Sequence, residues 1–163
     1  MKTLVVGDLH LKQEFVLPKI DGVLSNDPEI GRIVFLGDAC DDWGASEACA
    51  LAALEYYAKW VRLRRDRGVQ VDVLLGNHDF CYIRGKRGPG SIMTIMRDLR
   101  AILEDELRAE VACAVGPYLC THAGLTGVWA TRFLPDVPAD AEVIAQRLNE
   151  MLANSACWAD LDS

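Results

Sequence analysis

The chain has 163 residues, 51% hydrophobic and 25% charged, which suits one soluble domain over residues 1–163 with a real core and leaves little room for a second. Its formal net charge of -7 argues against a nucleic-acid backbone as partner, and any phosphate substrate must be drawn in by local cations. The apolar run in MKTLVVGDLH is too short for a signal peptide and no stretch could span a bilayer, so the chain is expected in the cytoplasm, with no membrane partner.

Residues 2–7 are a continuous apolar run ending in Gly7-Asp8, as expected of a buried parallel strand. Residues 13–25 read as a weaker helix interrupted by Pro18, and residues 32–37 as a second buried strand. Ser46 is the expected N-cap of a long helix, EACALAALEYYAKWVRLRRDR, whose last turn is rich in arginine and which stops at Gly68. A third strand follows at 69–75, and RGKRGPG (84–90) reads as a loop. Ser91 is expected to open an amphipathic helix over 91–108. Residues 111–115 and 118–122 read as strands joined at Gly116-Pro117 by a hairpin or tight corner, and a last helix covers 139–153. This order of elements predicts an α/β fold with helices covering the sheet. The six cysteines form no CxxC pair, and they read as small buried hydrophobes in a reducing compartment, with Cys40 and Cys81 set apart because they flank polar strand ends.

Four of the strand-like runs end in polar clusters: GDLH (7–10), GDACDD (37–42), GNHD (76–79) and THAG (121–124). These clusters hold all three histidines of the chain. In open α/β sheets ligands bind beyond the carboxyl ends of the strands, so one crevice can collect all four. Carboxylate, imidazole and amide donors without thiolate suit manganese, iron, zinc or a similar divalent ion.

In order and spacing, these clusters resemble the motifs of the calcineurin-like metallophosphoesterases: D-x-H, GD-x-x-D, GNH-D/E, then separate histidine motifs. THAGL (121–125) is similar to the HAGL element of their phosphoprotein-phosphatase branch, which includes bacterial diadenosine tetraphosphatases. The resemblance runs from residue 4 to about residue 125. It implies a β-sandwich flanked by helices, and two divalent metal ions. By it Asp8 and His10 would bind the first metal, Asp38 would bridge, and Asn77 and His122 would bind the second. His78 would be the general acid and Asp41 its orienting carboxylate. The implied reaction is hydrolysis of a phosphorylated small molecule, a dinucleoside polyphosphate or a phosphoprotein by a metal-activated water.

Two departures qualify the implied chemistry. The branch reads GDxxDRG, with an arginine on the phosphate, whereas this chain has Asp42 and Trp43 before the glycine. Arg84, Lys86 and Arg87 are the candidate replacements for that charge. The family's last ligand is a further histidine, and none follows His122, so the second metal site is expected to be incomplete. The expected cause is truncation, with the first sheet complete and the second reduced, and with an exposed edge inviting a homo-oligomer. Asp160, Asp162, a water or a partner chain completing the shell is the alternative. A catalytically weak or inactive binding scaffold is the rival functional reading, and a nuclease is disfavoured by the net charge.

Overall fold

The computed structural model describes residues 1–161; Asp162 and the Asp160 side chain, named above as alternative ligands, lie outside the described residues. The strands are β1 (Lys2–Val6), β2 (Ile30–Phe35), β3 (Gln70–Val73), β4 (Ala112–Val115) and β5 (Tyr118–Thr121). The helices are α1 (Gln13–Asn26), α2 (Glu47–Asp66), α3 (Asn77–Arg84), α4 (Met96–Ala101), α5 (Gly127–Phe133), α6 (Ala141–Ala153) and α7 (Trp158–Leu161).

β1, β2 and β3 pair in parallel in that order. Parallel neighbours need long crossovers, which α1 and α2 supply. Strand order advances in one direction, so crossovers of one hand lay both helices on the same face. There Leu17 of α1 and Leu54, Tyr57 and Val61 of α2 share a core with Ile33 and Phe35 of β2. Alternate residues point the other way, and Val34 and Leu74 meet Cys113 of the β4–β5 hairpin. The far side of that hairpin is covered by α6, where Ala145, Leu148 and Met151 pack with Ala112. The layers are therefore helices, a three-stranded sheet, a two-stranded sheet and a helix, which is the flanked sandwich with a reduced second sheet.

Polar clamps join the layers. Arg32 on β2 donates to Asp72 on β3 and to the Ala114 carbonyl of the second sheet, each at 2.7 Å. The Asn149 side chain on α6 accepts from the Val111 and Ala112 amides and donates to the Ala112 carbonyl. These bonds fill backbone groups that burial would otherwise leave costly.

Ser46 caps α2 by accepting from the Cys49 amide, and Gly68 follows the helix at φ +84°. Three local expectations are corrected. Pro18 does not interrupt α1, because the loss of one amide donor leaves Leu17 and Ile20 free to bury. Residues 91–108 are not one regular helix: a 3-10 turn (Met93–Ile95) leads into α4 and then a π-helical turn (Ile102–Glu106). That widened turn, closed by the Leu107 amide on the Ile102 carbonyl at 2.9 Å, lets Ile102, Leu103 and Leu107 all reach the core. Ser91 folds back instead onto Gly88, accepting from its amide and donating to its carbonyl. Among the cysteines, Cys40 and Cys113 are buried, but Cys49 is exposed. Burial pushes the Cys113 thiol up to about 12, which keeps it unreactive. No helix among the described residues is long and apolar enough to cross a membrane.

Phe35 stacks edge-to-face on Tyr57 and Trp60, at 5.0 and 6.0 Å between ring centroids. Phe35→Ala should therefore cost about 3–5 kcal/mol, read as a lowered urea midpoint at unchanged slope.

Candidate metal centre

The loops leaving β1, β2 and β3 emerge side by side and are stitched together by their backbones. The amides of Leu9 and His10 donate to the Asp38 carbonyl at 3.0 and 2.8 Å, and the Leu11 amide donates to Ala39. Two glycines allow the loop after β2 to touch the loop after β3. A Cβ on Gly37 would lie 2.3 Å from the Gly76 nitrogen, and one on Gly76 would lie 2.0 Å from an Asp38 carboxylate oxygen. Of the five non-glycine residues at positive φ among the described residues, four stand here: His10, Leu11, Asp38 and Asp41. Such backbone persists only where its surroundings over-determine it.

Asp79 is the tie beneath the site. It is fully buried, and its carboxylate accepts from the amides of Ala39 (3.2 Å), Cys40 (2.8 Å) and Gly76 (3.0 Å). Burial raises its pKa, while the amides of Gly76 and Cys40 pull the other way.

Above that tie, Asp38 is central. It is only 4% exposed, and one oxygen accepts from the His78 amide at 2.9 Å. Its other oxygen lies 3.4 Å from His122 Nε2 and 3.8 Å from His10 Nε2. Asp8 stands between the two imidazoles, 3.8 Å from His10 Nε2 and 3.9 Å from His122 Nδ1. Asn77 Oδ1 is 3.1 Å from His122 Nε2. Two sets of potential ligand atoms result, His10–Asp38–His78 and Asp8–Asp38–His122, each set within 4.8 Å, with Asp38 common to both.

Hydrogen bonds fix which imidazole nitrogen can face a cation. His10 Nδ1 meets the Asp41 carbonyl and His122 Nδ1 meets the Leu36 carbonyl, both at 3.0 Å. A carbonyl only accepts, so each Nδ1 carries a proton, and in the neutral ring each Nε2 presents a lone pair to the cluster. Lone pairs from imidazole, carboxylate and amide oxygen then converge with no proton between them. That donor chemistry fits a divalent cation.

His78 is held differently. Its Nδ1 faces Asp41 Oδ2 at 3.2 Å, and Asp41 Oδ1 accepts from the buried Tyr82 hydroxyl, which itself accepts from the Ile92 amide. Burial, then the bond to Asp41, pushes the Tyr82 phenol well above its usual range. Tyr82 is absent from the expected site because α3 is also absent from the sequence reading. Gly76 and Asp79 at its start and Gly85 at its end, the latter at φ +66°, are the signals for that helix. On a helix, Tyr82 lies on the same face as His78, one turn away.

Among the described residues, none of the expected charge replacements lines a cavity beside the cluster. Arg84 lies over the Phe80 ring at 5.8 Å, and Lys86 and Arg87 are exposed. A cavity of about 270 Å³ is lined instead by His10, Asp41, Asp42, Trp43, His78 and Gly90. A second, of about 400 Å³, is largely apolar and opens on the other side of Asn77 and His122, against Phe80, Trp129 and Leu148.

The sequence profile of the calcineurin-like phosphoesterases matches residues 1–160. Among solved structures, a cold-active protein-tyrosine phosphatase of a psychrophile, Shewanella sp., is similar in fold, with a TM-score of 0.54 and 20% identity. The match covers 93% of this chain and 53% of that one, so this chain spans about half of its neighbour's length. No curated protein sequence matches.

Asp79→Ala leaves three buried amides without an acceptor. It should cost about 2–5 kcal/mol in urea unfolding, far more than an exposed acid such as Glu55 replaced the same way.

Proposed function

The chain belongs to the calcineurin-like phosphoesterases, and we propose that it hydrolyses a phosphoester at the Asp38-centred cluster, using divalent cations and a histidine acid. The observation that carries this reading is the pair of imidazoles whose Nε2 lone pairs converge on one buried carboxylate. Asp8, His10 and Asp38 would hold one cation, and Asp38, Asn77 and His122 the other. Manganese, iron and zinc all suit these donors. Cations held there would polarise the phosphoryl oxygens and acidify an attacking water.

The rest of the chemistry belongs to the chain itself. One Asp38 oxygen lies toward both His10 and His122, and the other, bonded by the His78 amide, keeps the carboxylate in place. Asn77 adds an oxygen ligand without adding charge, which limits repulsion of the incoming phosphate. His78 donates a proton to the departing alkoxide. Asp41 orients the imidazole through Nδ1, leaving Nε2 to face the leaving group, and Tyr82 holds Asp41 from behind. Support for an enzyme rather than an inert scaffold comes from that chain, since a scaffold has no use for a braced proton donor.

Candidate substrates are phosphorylated small molecules, dinucleoside polyphosphates and phosphoproteins. The solved neighbour is described as a protein-tyrosine phosphatase, which brings aryl phosphates into that set.

Two variants test the assignments. Asp38→Asn should weaken manganese binding by at least about 100-fold in calorimetry and abolish turnover with it. Retention of both full metal and full turnover would remove Asp38 from its bridging role. His78→Ala should lower kcat on an alkyl phosphate about 10²–10⁴-fold while metal content, measured by elemental analysis, stays level. The same variant should lose far less on p-nitrophenyl phosphate, whose leaving group needs little protonation.

A further inference from the structure

Trp43 occupies the stretch where the related branch carries its phosphate arginine, and at 79% exposure it is the most open of the chain's four tryptophans. Trp60 is buried, and Trp129 and Trp158 are half-buried. Its indole makes no aromatic or cation–ring contact among the described residues. It nevertheless lines the same cavity of about 270 Å³ as His10, Asp41 and His78.

The backbone that presents it is fixed on both sides. The Ala45 amide donates to the Asp42 carbonyl at 3.1 Å, closing a four-residue turn with Gly44 at φ +81°. Positive φ at that position is the mark of a type II turn and favours glycine. Lys12 pairs with the Asp42 carboxylate, and Asp41, just before the turn, is held by His78 and Tyr82. Trp43 is thus a large flat ring on a tied turn beside the proton donor.

The charge pattern narrows what such a ring can bind. No lysine or arginine lines this cavity, and Asp41 and Asp42 both do. Away from the cations, a further anionic group on the substrate would be repelled, whereas a neutral planar ring gains by stacking on the indole face.

We propose that Trp43 is a stacking platform for a planar aromatic ring carried on the alcohol side of the phosphoester, so that the site selects aryl or nucleoside phosphates over aliphatic ones. The selection rests on the hydrolytic reading above for its biological use, but binding alone tests it. Loss of the arginine then has a counterpart: affinity moves from the phosphate to the group that the phosphate leaves.

The test is calorimetry on the full chain in manganese, with phosphonates that cannot be hydrolysed. Phenylphosphonate is compared with methylphosphonate, and the phosphonate isostere of AMP with that of ribose 5-phosphate. In at least one pair the aromatic member should bind about tenfold more tightly and quench tryptophan emission saturably. The pair that discriminates identifies an aryl ester or a nucleotide as the ligand source. In Trp43→Ala the ratio should fall to about one, and Trp43→Phe should retain most of it. Equal or absent binding within both pairs, or a ratio that survives Trp43→Ala, overturns the proposal. Failure of the hydrolytic reading is seen separately, as absence of turnover of any phosphate ester by the manganese-loaded chain.

Discussion

A carboxylate sealed away from water is tolerated only when its lone pairs are filled, and Asp79 fills them with three backbone amides from two different loops. That requirement ties the loop after β2 to the loop after β3. Asp38 and His78, each one residue from a bonded position or from Asp79 itself, have their relative placement set by the same bonds. The close glycine contact at Gly37 and Gly76 belongs to this constraint, since any side chain there would push the loops apart. The cluster's spacing is therefore decided beneath it, by groups that touch no ligand.

Electrostatics explains why the tie is needed. The chain carries a net charge of -7, and its site gathers Asp8, Asp38, Asp41 and Asp42 at one edge. Like charges at such distances repel, and Asp38, at 4% exposure, has little water to screen it. Neutral imidazoles donating their Nδ1 protons to carbonyls add further lone pairs rather than positive charge. A fold that holds these groups together without cations pays for that arrangement in positive-φ backbone and buried amide bonds. Cations relieve the repulsion, which is why the geometry reads as preorganised for them.

Most of the candidate cluster was legible because its residues sit directly after strands. A continuous apolar run followed by Gly-Asp or Gly-Asn marks both the strand end and the donor, as at Leu36-Gly37-Asp38 and Leu75-Gly76-Asn77. Capping residues were equally plain at Ser46 and Gly68. The failures have a common physical origin in tertiary packing. Ser91 looks like a cap but satisfies Gly88 instead, and the π-helical turn at Ile102–Glu106 answers the shape of the core, which no local pattern carries. α3 is short and aromatic, so periodicity is silent over it, and Tyr82 was hidden along with it. Arg84 lies over Phe80 and lines neither cavity.

The β4–β5 hairpin that leads into His122 bears on the first sheet through a small buried set, Val34, Leu74 and Cys113, and through the bond from Arg32 to Ala114. That apolar contact is small, and backbone bonds just before β4 supplement it, the Glu110 amide donating to Val73 and the Leu75 amide to Glu110. His122 reaches Asn77 and Asp38 only when this hairpin is seated. Whatever binds there is thermodynamically linked to seating the hairpin, so occupancy of the Asn77–His122 half and local order of residues 112–121 rise and fall as one equilibrium.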